Sequence, residues 1–589
     1  MNNLNRVATL ILVVLLWGCG GSSNNKSEPL TSENPVSVVT SYATKSQIVI
    51  KLNQVGFLPN DKKVAIIPNV VSNVFQLIST GTNNVVFEGQ LSAPLAWELS
   101  GKEEVTKADF SLFNTPGSYF LRVDGLADSN KFEINAQVYG LLHDAALKFY
   151  YYNRASQEII APYAGEWLRN AGHYDNQVLV HASAANTQRP TSTILSSPKG
   201  WYDAGDYGKY VVNSGISTYT LLAAYAHFPA FYQDRNIAIP ESVDSIPDIL
   251  NEIIWNLDWL LTMQDFDGSV YHKLTTLEWP GQEMPEEDKR DRYVIGKSTA
   301  AALNFAAVMA MASRVYQPFE TSFPDKNEQW LNAAVAAWNW AVEHPKQYYQ
   351  QPDDVSSGEY GDNAVNDEFA WAAAELFIAT QDVNYYNQFK KYRSKARIPS
   401  WSNVGYLALS SLIMEGESIL DPREYQLLKS TQLALANTIV EQSHMNGYQV
   451  AMVSSDFVWG SNGVALNKAF ILMQANHSSN DIRFRSAATD LIDYILGRNP
   501  TDYSFVTGYG TKTPMHPHHR VSESDNLTNP IPGMLVGGPH RGQQDKCHYT
   551  YLTPAKSYLD DWCSFSTNEV TINWNAPLIY VLAALQSTR

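Results

Sequence analysis

From residue 47 to about residue 136 the apolar positions come in short alternating runs. Ile48-Val49-Ile50-Lys51-Leu52, Val64-Ala65-Ile66-Ile67 and Tyr119-Phe120-Leu121-Arg122-Val123 are examples, parted by Pro, Gly and Asn turns. Period-two runs bounded by turn residues predict strands, and together they predict a β-sandwich of about ninety residues. No acids, His or Cys cluster there at catalytic spacing, so 47–136 reads as a packing or spacer module.

Beyond Val138 the period lengthens. Stretches at 141–152, 216–226, 246–263, 298–315, 327–343, 369–380, 425–441, 464–474 and 482–496 place apolar residues every three or four positions, which predicts helices. The stretch from Thr299 to Ala312 is apolar nearly all round, as befits a helix enclosed by neighbours. A large all-α domain over 138–589 follows. Two long segments rich in Gly, Pro and aromatic residues interrupt it, Ser196 to Tyr210 and Gly497 to Ser566. Loops of that length in a compact helical domain usually carry function.

Composition supports this division: 589 residues exceed one ordinary core, and 44% apolar content supplies a large and a smaller one. A formal charge of -17 argues against nucleic acid or an anionic membrane surface as the main partner, and leaves a neutral or cationic ligand.

The N-terminus stands apart. Arg6 followed by the apolar run from Val7 to Leu16 has the layout of a secretory signal, too short to span a bilayer. Leu16-Trp17-Gly18-Cys19 resembles a bacterial lipobox, with Trp17 where a small residue is usual. Residues 1–19 are then the lipoprotein signal with Cys19 lipidated, and 20–46, polar and Ser/Asn-rich, form a flexible tether. Gly20 rather than Asp after the cysteine points to the outer membrane of a Gram-negative bacterium, with plain secretion as the alternative. The lipid anchor is the only membrane contact expected.

Cys547 and Cys563 remain, sixteen residues apart in an exported chain. A disulfide is expected, worth roughly 3 kcal/mol by loop closure. Zinc is the rival reading because His548 adjoins Cys547, but no second Cys-x-x-Cys or His pair completes a ligand set.

Three segments can do chemistry. Gly200-Trp201-Tyr202-Asp203-Ala204-Gly205-Asp206-Tyr207-Gly208-Lys209-Tyr210 sets two carboxylates three apart among glycines and four aromatic rings, which suits holding a water beside a flat sugar face. A calcium loop or a capped turn would look the same locally. His516-Pro517-His518-His519-Arg520 offers imidazole and guanidinium donors for hydroxyl oxygens; Pro517 breaks the helical spacing of a zinc site. Glu569 opens the last helix in aromatic, apolar surroundings that can raise a carboxyl pKa, although an acid there also complements the helix dipole.

Taken together these segments resemble glycoside hydrolase family 9, the old cellulase family E. One family signature fits from Ser504 through Val506, Thr507, Gly510, Lys512 and Pro517 to His518-His519-Arg520, and the second fits Tyr558, Asp560, Phe565, Glu569, Thr571 and Asn575-Ala576. Asn53-Gln54-Val55-Gly56-Phe57, Asp109-Phe110-Ser111, Met263-Gln264 through Tyr271-His272-Lys273, Asp367-Glu368 with Trp371, and Val458-Trp459-Gly460-Ser461-Asn462 are similar to a branch with an N-terminal immunoglobulin-like module. The resemblance implies that module followed by an (α/α)6 barrel, and inverting hydrolysis of β-1,4-glucosidic bonds.

Carried onto this chain, Asp206 is the general base, Asp203 helps hold the water, and Glu569 is the general acid. An inverting pair stands about 6.5–9.5 Å apart to admit the water. His518 and Arg520 are expected to bind the glucosyl unit beside the cut, and Asp560 to support the acid's loop. Tyr207, Tyr210, His272, Trp459 and Tyr558 are expected sugar contacts, by stacking or through their polar tips. Some members carry zinc on a Cys/His cluster in the first half of the helical domain, where this chain has no Cys. Calcium also occurs in the family, so a structural calcium stays open with no ligands assigned, and the reaction requires no cofactor.

Two other functions compete. An exo-acting β-glucosidase or glucosaminidase would use the same carboxylates behind a blocked groove. A surface lipoprotein that binds glycan without cutting it would not need Asp203, Asp206 and Glu569 together. With no separate carbohydrate-binding module or Ser-rich interdomain linker in the sequence, soluble or short glucans suit the chain better than crystalline cellulose. Oligomeric state is open at this level.

Overall fold

The computed structural model describes residues 49–70 and 72–587. The signal, Cys19 and the tether lie outside them.

Eight strands form the first module: β1 (Gly56–Phe57), β2 (Val64–Pro68), β3 (Val74–Ser79), β4 (Val85–Gln90), β5 (Leu95–Trp97), β6 (Glu103–Asp109), β7 (Gly117–Arg122) and β8 (Phe132–Ile134). They make two sheets, ordered β1-β8-β7-β3-β4 and β2-β6-β5. β2 is buried at every position, which a strand with one wet face would not be. Ala65 and Ile67 join the sandwich core with Phe57, Phe75 and Leu121, whereas Val64 and Ile66 join the core of the helical domain. The three-stranded sheet is therefore held between the other sheet and the helices.

Polar contacts finish that junction. Asn53 Nδ2 donates to Asp493 Oδ1 (2.9 Å) and to Tyr139 Oη (3.0 Å). Gln54 Oε1 accepts from the backbone N–H groups of Thr511 and Lys512, each at 2.9 Å, and its Nε2 donates to Asp502 O at 2.8 Å. The first module thus grips the start of the long loop that carries His518.

Among the described residues the second domain contains twelve helices of ten residues or more. They are α1 (Gly140–Tyr152), α2 (Val211–His227), α3 (Asp248–Thr262), α4 (Thr299–Val315), α5 (Lys326–Glu343), α6 (Asn366–Thr380), α7 (Val383–Tyr392), α8 (Gly405–Glu415), α9 (Pro422–Ser443), α10 (Ser461–Ser479), α11 (Ile482–Ile495) and α12 (Ile572–Gln586). The even-numbered helices are buried along most of their length and pack in a closed ring, α2-α4-α6-α8-α10-α12-α2. The odd-numbered helices pack outside it, which makes an (α/α)6 barrel. Small side chains permit this enclosure: α4 reads TAAALNFAAVMAMASRV, and only its Arg314 escapes full burial.

The helices expected from periodicity are present, with α2 starting at Val211 rather than 216. Two more, α7 and α8, are short, and the polar NYYNQFKKY of α7 gives little apolar stripe. A second five-stranded sheet was not expected: β9 (Val178–Val180), β10 (Ile194–Leu195), β11 (Lys209–Tyr210), β12 (Tyr271–Thr275) and β13 (Tyr293–Lys297), ordered β10-β9-β13-β12-β11. Strands of two or three residues are too short to show alternation. This sheet braces the loop that enters α2.

Candidate active site

The site residues lie in the segments that lead into the inner helices. Asp203, Asp206 and Tyr210 precede α2, Tyr360 precedes α6, Trp459 precedes α10 and Glu569 precedes α12. The positive ends of those helix dipoles face the same region, which favours carboxylates there.

Buried ion pairs anchor the loop into α2. Asp175 pairs with Lys209 at 2.7 Å and with Arg292 at 2.9 Å, and Arg292 Nη1 donates to Tyr207 O at 2.7 Å. Asp206 Oδ2 accepts from the Gly208 N–H (3.0 Å) and the Tyr210 hydroxyl (3.1 Å). A Cβ on Gly208 would stand 2.6 Å from the Tyr210 ring and 2.7 Å from Asp206 Oδ2, so only glycine fits between them. Asp203 Oδ1 accepts from Asn213 Nδ2 (2.7 Å) and Oδ2 from the Tyr360 hydroxyl (2.6 Å). Its main-chain oxygen accepts from Ile572 N (2.9 Å) and Thr571 Oγ1 (3.0 Å), joining this loop to the start of α12.

Glu569 does not open the last helix. It sits in extended backbone between the short helix Phe565–Asn568 and α12, whose N-cap is Thr571. Its Oε2 accepts from the Trp459 indole at 3.1 Å. Asp560 accepts from Met515 N (2.8 Å), His516 N (2.9 Å) and Asn568 Nδ2 (3.1 Å), and so ties the His518 segment to the residue before Glu569.

Burial, with Asp206 close by, pushes Asp203 up to about 8. Burial, then Asp206 and Asp203, pushes Glu569 up to about 8 as well. Both Asp203 oxygens accept from neutral donors, which favours its anion, whereas Glu569 has the single indole donor. Of the two, Glu569 is the better placed to hold a proton at neutral pH. His518 Nδ1 donates to Trp562 O at 2.7 Å, and the ring stacks on Trp562 with centroids 4.2 Å apart. Burial holds it down at about 4, so it is neutral and its Nε2 is an acceptor. The expected imidazole donor toward sugar oxygens is therefore reversed.

Several expected sugar contacts are committed elsewhere. Tyr207 is 2% exposed and its hydroxyl donates to Glu283 O at 2.5 Å. Tyr210 is equally enclosed and serves Asp206. His272 is fully buried, bonded through Nδ1 to Ser298 Oγ and through Nε2 to Glu359 O, and stacked on Tyr349. Tyr558 donates to Asn568 Oδ1 at 2.6 Å. Arg520 donates from Nη1 to Gly205 O (2.8 Å), from Nη2 to Pro280 O (3.0 Å) and from Nε to Gly281 O (3.0 Å), so it clamps two loops together. Trp459 remains 41% exposed beside Glu569, with the Phe565 ring 5.2 Å away between centroids. Sequence pattern did not reveal Tyr360, Asn213 or Trp562; the one available signal for Tyr360 is its place in a Gly/Asp/Asn-rich stretch leading into an apolar helix.

Cys547 and Cys563 form a disulfide, which takes the cysteine that the zinc reading would have used. Among the described residues no three His, Cys, Asp or Glu side chains are gathered as a metal cluster. Glu368 is fully buried at the start of α6, close to Asp367 and Asp362. Burial and the nearby Asp367 and Asp362 push Glu368 well above the usual carboxylate range.

The profile of Glycosyl hydrolase family 9 matches residues 139–582, and that of the Cellulase N-terminal ig-like domain matches residues 45–128. The chain is 42% identical over 560 residues to a xyloglucan-specific endo-beta-1,4-glucanase of Bacteroides ovatus, covering 91% of this chain and 94% of that protein. It is 33% identical over 585 residues to Endoglucanase D of Acetivibrio thermocellus, covering 98% and 86% respectively. A solved Bacteroides ovatus GH9 structure superposes with a TM-score of 0.86 at 40% identity, covering 91% of this chain and 98% of that one. With both modules matched along nearly the whole described length, the chain belongs to glycosyl hydrolase family 9, a glycoside hydrolase with an immunoglobulin-like module ahead of its (α/α)6 barrel.

Proposed function

We propose that this enzyme cleaves β-1,4-glucosidic bonds of soluble or short β-glucans with inversion of configuration. The observation that carries this reading is the pairing of unlike carboxylates. Asp206 is held by two donors on one oxygen, while Glu569 is raised to about 8 and keeps its proton at neutral pH.

In this mechanism Asp206 takes a proton from water as it attacks the anomeric carbon, with Asp203 holding the same water in line. Glu569 gives its proton to the departing glycosidic oxygen, so the bond breaks as the new C–O bond forms on the opposite face. The exposed part of Trp459 supports a sugar ring beside the acid, and Nε2 of His518 accepts from a sugar hydroxyl. Arg520 contributes by holding the two loops in register.

The test is hydrolysis of cellotetraose, carboxymethyl cellulose and xyloglucan by the full chain, with Asp206→Ala and Glu569→Gln alongside. Xyloglucan is included because a relative is specific for it. Falling polymer viscosity with oligomeric products supports endo action; glucose released first from the tetramer with both polymers intact would replace it with the exo reading. Loss of about 10²–10⁴-fold in each variant is the expected scale for a general acid or base. Wild-type rates in both would refute the assignment.

A further inference from the structure

Lys273 lies on β12 directly opposite Tyr210 of β11 and is fully buried. Its ammonium is held by oxygens without formal charge: Gly358 O at 2.7 Å, Ser357 Oγ at 3.1 Å, Ser357 O at 3.2 Å and Gln351 Oε1 at 3.3 Å. Burying a cation on neutral oxygens is costly, and an apolar residue of similar length would pack there more cheaply. The packing core gains nothing from the charge.

What the ammonium holds explains it. Gly358, fixed through its carbonyl, donates its N–H to the Tyr210 hydroxyl at 3.1 Å, and that hydroxyl donates to Asp206 Oδ2 at 3.1 Å. A Cβ at 358 would stand 3.0 Å from the Tyr210 oxygen, so a side chain there would press on the hydroxyl. The ammonium also acts through space on Asp206, whose charge does more than that of Glu359 to keep Lys273 protonated.

We infer that Lys273 is a positioning residue for the base: it fixes the 357–358 segment that aims the Tyr210 hydroxyl at Asp206, and it supplies positive charge on the buried side of Asp206. This rests on Asp206 being the base. The groups that face Asp206 are Asp203, Glu569, Tyr210, His518 and Lys273. Those that face Lys273 are Asp206, Glu359, Tyr210, Tyr349 and His272. Burial pushes Lys273 down to about 7, so it is still charged at the lower pH where the base must stay ionised.

The experiment compares full-length wild type, Lys273→Met, Tyr210→Phe and Asp206→Ala on a soluble glucan, recording kcat and KM against pH together with thermal unfolding. Lys273→Met is expected to move the acidic limb of kcat/KM up by about one pH unit, because an opposite charge favouring the ionised form is gone. Its kcat falls roughly 10–100-fold while KM stays within about twofold, the mark of lost alignment rather than lost binding. Tyr210→Phe shifts the same limb in the same direction by less, and it keeps the proposal testable should Lys273→Met not fold. A folded Lys273→Met, or Tyr210→Phe, with the limb unmoved overturns the inference, even if its melting temperature drops. If Asp206→Ala keeps wild-type activity, the reading of the base fails instead; if Asp206→Ala is inactive and the limb does not move, only the role of Lys273 falls.

Discussion

Replacing Trp459 by Phe separates two things that this side chain does. The ring face is kept and the indole N–H is lost, and that N–H is the donor to Glu569 Oε2 at 3.1 Å. A donor stabilises the ionised carboxylate, so its removal favours the protonated form and raises the pKa of the acid above about 8. A hydrogen bond to a charged group is worth about 1.5–3 kcal/mol when enclosed, and roughly 1 kcal/mol is reasonable for a partly exposed donor. At 1.36 kcal/mol per unit this amounts to an upward shift of about 0.7 pH unit. The reaction needs Glu569 protonated, so the alkaline limb of kcat/KM moves to higher pH while the acidic limb, set by the base, stays in place. The assay is kcat/KM on a soluble glucan from pH 4 to about 10, the range that brackets both carboxylate roles. Trp459→Ala provides the contrast, since it loses the platform too and raises KM. An alkaline limb that stays put or moves down in Trp459→Phe would refute both the donor role and the assignment of the acid.

Gly208→Ala places a methyl 2.7 Å from Asp206 Oδ2, and misalignment of the base by an ångström is expected to cut kcat about 100-fold with KM little changed, read from steady-state kinetics. Cys547→Ser removes the bridge to Cys563, which follows the Trp562 that holds His518; unfolding should show a loss of roughly 3 kcal/mol, and KM should rise as that wall loosens. Glu368→Gln should raise the melting temperature more at alkaline than at acidic pH, as followed by calorimetry, because rising pH otherwise favours ionisation of a buried carboxyl that only the unfolded chain can accommodate.

Much of this could be read from residue pattern. The alternating runs before residue 136 and the long apolar periods after 138 gave sandwich and helices, and the structure brings the acids of the two loops near one another ahead of α2 and α12. Side-chain direction in the loops was not legible. Tyr207, Tyr210 and His272 carry the ring and polar tip that sugar binding needs, but Tyr210 and His272 are buried in the sheet β10-β9-β13-β12-β11, whose strands do not exceed five residues, and Tyr207 is buried just ahead of it on Glu283 O. β2 read as one of the short alternating runs, and only tertiary structure shows that its odd and even residues serve different cores. Glu569 was expected on the helix because apolar residues follow it closely, yet Thr571 caps that helix, and the extended backbone this leaves at Glu569 points the acid across the cleft to the indole of Trp459.

The ring of inner helices also fixes when the enzyme can first act. α2, which follows Asp206, packs on α12, which follows Glu569 and is the last helix described. Until α12 seats, the main-chain oxygen of Asp203 lacks Ile572 and Thr571, and the two halves of the chemistry belong to separate ends of the chain. Under the proposed mechanism an incompletely folded chain therefore has no partial activity to pass through: it stays inert until α12 is inserted, and catalysis itself reports that the barrel has closed.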